Sequence, residues 1–256
     1  DYYVLESASY YYSSAVNGKS YGSGTRTNPQ MVYDYASFST YLSSNTKSSF
    51  FRLIKDIDFE YQFTRTSYSN FQGALQGSYM VLSRLSISYT SSIENDNKAQ
   101  EQDKNAMDLE KNKNAFGLFA KISTIDFSDY TEFTTTIISN VRIDVVEVLS
   151  NVHSYVGGLA GQIDAYGNGD MSRNVILNNI NIKGYNDNRA FIQGRNAVGG
   201  LIGFATGNVI IKDITSSVSV NATKEMDVGS DAKTMLYIQG SDLKAISNIS
   251  YAGGVV

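Results

Sequence analysis

The chain has 256 residues, of which 42% are hydrophobic and 18% charged, so it can bury a core and wholesale disorder is excluded. Its formal net charge of −4 argues against a nucleic-acid partner, because phosphate backbones select basic surfaces. The absence of Cys excludes disulfides, thiolate catalysis and Cys-ligated metal clusters. No apolar run reaches the length of about 18 residues that a membrane-spanning helix needs. The 19 Tyr and 21 Gly favour strands and turns.

Tyrosine is concentrated at the N-terminus, where nine of the 19 lie in the first 41 residues, including Tyr10, Tyr11 and Tyr12. We expect residues 1–48 to form a cap over the open end of the structure that follows. A short amphipathic helix is predicted at 34–43, because Phe38 and Leu42 fall on one helical face. Rigid, amphipathic tyrosine also suits recognition, so Tyr10–Tyr12 is our candidate ligand-binding group.

Alternating carboxylates follow at Asp56, Asp58 and Glu60. Alternation places the three side chains on one face of a strand, where their oxygens could bind Ca²⁺.

The segment 93–115 differs from the rest of the chain, because ten of its 23 residues are charged. We expect it to leave the fold as a long loop, either as a solvated connection or as a functional excursion.

A glycine motif recurs along the second half of the chain. Its copies are Phe116-Gly117-Leu118, Val156-Gly157-Gly158-Leu159, Val198-Gly199-Gly200-Leu201 and Ala252-Gly253-Gly254-Val255. The anchoring apolar residues are 41, 42 and 54 residues apart, and the longer last interval predicts an insertion at 226–243. Glycine pairs before an apolar residue permit close backbone approach or a positive φ.

A second motif alternates with the first and reads apolar, polar, polar, apolar. Its copies are Leu82-Ser83-Arg84-Leu85, Ile138-Ser139-Asn140-Val141, Leu177-Asn178-Asn179-Ile180 and Ile211-Lys212-Asp213-Ile214. The polar pair predicts a corner between two strands, where Asn tolerates left-handed backbone. Stacking such units predicts a solenoid of short parallel strands. Nucleotide binding by the glycines is disfavoured, because the G-x-G-x-x-G spacing and a following helix are both missing.

These motifs resemble the GLUG-motif repeats of large bacterial surface proteins and adhesins. Upstream segments resemble the same family in consistent order, at 22–29, 51–59 and 71–77. The resemblance implies an all-β, right-handed parallel β-helix at 49–256, preceded by the cap at 1–48. It also implies that Asp56 and Asp58 meet turn amides in a structural strand. Gly117 and Ala120 depart from the pattern, and the incomplete last coil leads us to expect more repeats beyond Val256.

No catalytic constellation is recognisable. His153 is the only His, and it lies at a predicted loop edge without metal-ligand spacing around it. Carboxylates such as Asp164, Asp170 and Asp187 are present, but their spacing assigns them no role. We expect a non-enzymatic module without cofactor or metal, displayed outside a bacterial cell, that adheres to a host surface, a cell or a polysaccharide. The alternatives are a carbohydrate-active lyase or hydrolase on the same scaffold, and a purely structural stalk.

Overall fold

The computed structural model describes residues 22–43, 49–59, 68–89, 115–124, 135–150, 153–165, 174–187, 190–222 and 251–253. Within them lie one α-helix, α1 (Tyr35–Ser43), and a 3₁₀ turn at Tyr185–Asp187. The strands are β1 (Gln30–Val32), β2 (Phe50–Leu53), β3 (Ile57–Asp58), β4 (Tyr68–Phe71), β5 (Ala74–Gln76), β6 (Val81–Tyr89), β7 (Ala115–Phe116), β8 (Phe119–Ser123), β9 (Thr136–Ser150), β10 (Tyr155–Gly157), β11 (Ala160–Asp164), β12 (Val175–Gly184), β13 (Phe191–Gly194), β14 (Ala197–Gly199), β15 (Ile202–Thr206), β16 (Val209–Ser217), β17 (Ser219–Ala222) and β18 (Tyr251–Gly253). The Tyr10–Tyr12 group lies outside the described residues.

The strands form three parallel sheets. Sheet A has ten strands and contains the path β1-β2-β5-β9-β12-β16. Sheet B has the order β15-β11-β8-β4, and sheet C has the order β18-β14-β10-β7. From β7 onward the chain visits the sheets in the repeating order C, B, A. The prediction of an all-β chain with parallel strands is confirmed.

Equivalent residues of the glycine motif pair with one another in sheet C. Val156 pairs with Phe116 on one side and with Val198 on the other, and Val198 pairs in turn with Ala252. This is the register that the sequence repeats predict. Apolar residues therefore stack on apolar residues from one repeat to the next, and each such column is continuous.

The corner motif also has the predicted conformation. Asn140, Asn179 and Asp213 are the second polar residues of their copies, and their φ values are 55°, 52° and 53°. Ile138 pairs with Leu177, which pairs with Ile211, so these corners occupy equivalent places in successive strands.

The copy at Leu82 is displaced, which corrects the predicted alignment. Leu82 pairs with Ile143, whereas the residue opposite Ile138 is Leu75. In the later repeats a single Asn or Asp forms the corner, whereas here a four-residue turn at 77–80 takes its place. The next strand, β6, therefore begins only at Val81. Arg84 then makes a second left-handed corner, with φ 57°.

Close backbone approach explains the glycines of the motif. A Cβ on Gly157 would overlap the carbonyl oxygen of Ala160 and lie 2.7 Å from the nitrogen of Gly203. A Cβ on Gly158 would lie 2.6 Å from the carbonyl oxygen of Gly200. Neither glycine has a positive φ. The connection from sheet C to sheet B therefore leaves no space for a Cβ at either position.

The core is a set of apolar columns to which all three sheets contribute. Its inward positions in the middle repeats are fully buried, for example Ile143, Ile182, Val156 and Ile163. Helix α1 covers the N-terminal end of the core with Phe38 and Leu42, which are 0% and 2% exposed; the predicted short helix is confirmed. In the last strand of the sheet A path, Ile211 is 37% exposed, although its partners are buried.

Connection lengths differ strongly between the corners. The links from sheet C to sheet B are short in every described repeat, whereas those from sheet A to sheet C span residues 90–114, 151–154, 195–196 and 223–250. The predicted charged insertion at 93–115 lies outside the described residues except for Ala115, which begins β7. The predicted insertion at 226–243 also lies outside them.

Candidate functional site

The corner between sheets A and C gathers the most distinctive side chains. We call it the A–C corner and define it by Tyr89, Phe116, Ser150, His153 and Arg195. Tyr89 and Ser150 end β6 and β9 and pair with each other in sheet A. His153 precedes β10, and Arg195 precedes β14, so successive repeats place these residues one above another.

Ser150 holds His153 in a fixed orientation. The Ser150 hydroxyl accepts the backbone N–H of His153 at 3.1 Å and lies 2.7 Å from its ring Nδ1. Because Ser150 is 0% exposed, its hydroxyl cannot meet a substrate in solution. The pair is thus a hydrogen-bonded turn and not a nucleophile with its base.

Aromatic contacts fix the imidazole on its other sides. The His153 ring stacks on Phe116 with centroids 5.0 Å apart and an interplanar angle of 20°. The Tyr89 ring meets it edge to face at 5.2 Å. The backbone N–H of Arg195 donates to the His153 carbonyl at 3.4 Å. Phe116 is buried, so the aromatic group that the corner presents to solvent is the Tyr89 ring, which is 41% exposed and suited to recognition.

The aspartates after β2 are engaged within the fold. Asp56 accepts the backbone N–H of Val81 at 2.8 Å, so its partner is the first amide of strand β6, next to the turn at 77–80, and not a turn amide. Asp58 forms a two-pronged ion pair with Arg84. Glu60 lies outside the described residues. Within the described ranges, no three His, Asp or Glu side chains come together in a way that could hold a metal ion.

Other carboxylates also form ion pairs. Asp164 accepts from the Lys121 ammonium at 2.8 Å. Asp144, which is 5% exposed, pairs with Arg142 through two bonds of 2.7 Å. Asp170 and the Asp187 side chain lie outside the described part of the chain. The Lys121–Asp164 pair therefore joins the neighbouring strands β8 and β11, whereas the Arg142–Asp144 pair lies within β9.

The sequence did not indicate three exposed aromatic side chains of the described residues, Tyr79, Tyr89 and Phe191. Tyr89 ends a strand and is followed by Thr90, Ser91 and Ser92, and its neighbour His153 lies far along the chain. Tyr79 is 75% exposed and has a left-handed backbone with φ 63°. The Gly77-Ser78 pair ahead of it signals a turn, but not the exposure of the ring.

Comparison with known proteins gives no family assignment. No protein-family model matches the chain, and no curated protein matches it. A solved structure from Bacteroides ovatus, provisionally named an immunoglobulin A1 protease, is similar over 91% of this chain and 86% of that chain. The sequence identity is 11% and the TM-score 0.39, a similarity too low to assign fold or function. No helix in the described residues is long and apolar enough to cross a membrane.

Proposed function

We propose that the chain is an extracellular module of a bacterial surface protein that adheres to a host surface, a cell or a polysaccharide. Its scaffold would be a right-handed parallel β-helix. Support for the scaffold comes from the three parallel sheets, which the chain visits in a constant order from β7 onward, with equivalent residues in register. Such a scaffold is rigid and offers extended surfaces instead of one deep pocket.

The observation that carries the proposal is that the ends of two long connections and an exposed aromatic ring come together at the A–C corner. Both long connections of the sheet A to sheet C path, 90–114 and 223–250, leave from this corner. In the sequence, these two connections lie before and after the repeats that contribute His153 and Arg195. The exposed Tyr89 ring contacts His153. Connections between the strands of a rigid scaffold are a common location for binding residues.

A loop exchange tests the proposal. The first variant replaces residues 90–114 with Arg-Asn, the pair that makes the same connection at 195–196. The control replaces residues 165–174, at the opposite corner, with the Gly-Asn pair of 207–208. This control is matched because Ala165 already bonds to Thr206, and Asn208 donates to the Asn174 side chain.

Binding to cultured cells and to a panel of polysaccharides is measured for both variants and the unmodified chain, with thermal unfolding as the check on folding. We expect the unmodified chain and the control to bind saturably, and the first variant to lose most of its affinity. Equal binding by both variants would show that the connection 90–114 has no part in adhesion. No binding by any protein would favour the stalk, and new reducing ends or unsaturated sugars would favour the enzyme.

A further inference from the structure

An unusual turn displays Tyr79 to solvent. The turn spans 77–80 and is closed by the Met80 N–H, which donates to the Gly77 carbonyl at 2.8 Å. Its central residues, Ser78 and Tyr79, both have positive φ, at 50° and 63°. Turns of this kind favour Asn-Gly, because bulky side chains are strained there. The Tyr79 ring is 75% exposed, so its burial does not offset the strain, and strain of this kind clusters at functional sites.

Tyr79 begins a row of corner residues. Its backbone N–H donates to the carbonyl of Asn140 at 2.8 Å, and Asn140 forms the corner of the next repeat. The corners of the two following repeats are Asn179 and Asp213. We call Tyr79, Asn140, Asn179 and Asp213 the corner row.

Hydrogen bonds fix the amides of the row. Asn179 Nδ2 donates to Asn140 Oδ1 at 2.7 Å, and Asn140 Nδ2 donates to Gln76 Oε1 at 3.1 Å. The amides therefore point along the row in one direction, and the groups that remain can meet a ligand without reorganising. At the far end Asp213 is exposed and offers carboxylate oxygens.

We propose that the corner row is a binding site for a linear oligosaccharide, with the Tyr79 ring stacked on one sugar. This rests on the proposed adhesive function and names its ligand class. Parallel strands are about 4.8 Å apart, so the row is about 14 Å long, which suits several linked sugars more than one. An exposed aromatic ring at one end of a row of oriented amides, with a carboxylate at the other end, suits a ligand with apolar ring faces and many hydroxyl groups.

The test compares Tyr79→Asn with Phe191→Ala. Tyr79→Asn installs the residue that the next two corners carry, so the fold should be retained, and it removes the ring. Phe191, which is 53% exposed on β13, supplies the control loss of an aromatic ring away from the row. The probes are soluble cello-, chito-, manno- and malto-oligosaccharides, measured by calorimetry. For any oligosaccharide that the unmodified chain binds, we expect Tyr79→Asn to weaken binding about tenfold or more, and Phe191→Ala to leave it within about twofold.

Asp213→Gly keeps a residue suited to positive φ and should also weaken binding, because it removes the acceptor at the far end. Unchanged affinity in Tyr79→Asn overturns the site. Binding of cells without binding of these sugars overturns the site and leaves adhesion standing. Binding of neither overturns both proposals.

Discussion

The corner residues Arg84, Asn140, Asn179 and Asp213 share a left-handed backbone, yet only two of them are Asn. Asn and Asp tolerate this conformation because their short side chains bond to nearby groups. Arg84 has no such property, and its guanidinium is held instead by both oxygens of Asp58. In the later repeats, the residue type at the corner therefore favours the left-handed backbone. At Arg84 the residue type does not favour it, and an ion pair with Asp58 holds the side chain.

Gly161 and Ala120 occupy equivalent places but have different surroundings. A Cβ on Gly161 would lie 2.7 Å from the carbonyl carbon of Ala115 in the neighbouring strand of sheet C. Among the described residues, β7 is the edge strand of sheet C, so none of them forms a further strand of that sheet against the Ala120 Cβ. We expect Gly161→Ala to lower the free energy of unfolding by about 3 kcal/mol or more, since backbone must move. Ala120→Gly should cost about 1 kcal/mol or less in urea titrations. Equal losses would contradict the close-approach explanation.

Burial raises the pKa of Tyr68 above its ordinary value, and its hydroxyl lies near Ser39 and Tyr35 without a hydrogen bond of regular geometry. Above about pH 10 the unfolded chain loses this proton while the folded chain keeps it. Stability should therefore fall as pH rises beyond 10, by up to about 1.4 kcal/mol per pH unit for this group. Urea titrations at pH 8 and pH 11 should show a smaller loss for Tyr68→Phe than for the unmodified chain. Tyr79→Phe, which alters an exposed ring, is the control, and identical losses in all three proteins would contradict the assignment.

At the scale of elements, α1 is a helix too short to be stable alone and depends on its cap and on packing. Asp34 accepts the backbone N–H of Ser37 at 2.7 Å, and the Ser37 hydroxyl accepts the N–H of Asp34 at 3.0 Å. This reciprocal pair is a capping box. The helix then places Phe38 against Phe59 and Tyr68, with ring centroids 5.4 Å apart in both pairs.

Removing the cap should loosen this end of the fold. We expect Asp34→Ala to lower the free energy of unfolding by about 1 kcal/mol, and Asp34→Asn to cost little because Asn also caps. Chemical denaturation measures both. A loss in Asp34→Asn as large as that in Asp34→Ala would show that charge, and not capping, is the source.

At the scale of the whole molecule, the two ends of the described core differ. The N-terminal end is closed by α1, whereas inward residues of the last strands are only partly buried, including Ile211 and Ile214. Contacts in stacked repeats are mainly between neighbours, so local stability follows the number of neighbours that each repeat has.

Native-state hydrogen exchange should reveal this gradient. We expect amides of β9 and β12, which have partner strands on both sides, to exchange more slowly than amides of β16. Mass spectrometry of peptic fragments measures the three strands in one experiment. Uniform protection across them would mean that the described repeats open as a single unit.

The sequence predicted much of the fold and less of the site. The register of the glycine motif, the left-handed Asn corners and α1 were all predicted from spacing and residue type. The Leu82 strand was misaligned, because a four-residue turn and a one-residue corner give similar apolar patterns. The assembly of Tyr89, Phe116 and His153 was not predicted, since no local pattern links them.

The sequence by itself determined which residues turn, which extend and which face the core, because glycine, asparagine and alternating apolar residues act on their own stretch of backbone. The tertiary structure decided which side chains meet. Asp58 with Arg84, His153 with Phe116, and Tyr79 with the Asn corners come from different repeats. Their contacts depend on how one strand stacks on the next, and a shift of one residue in that register would separate each pair.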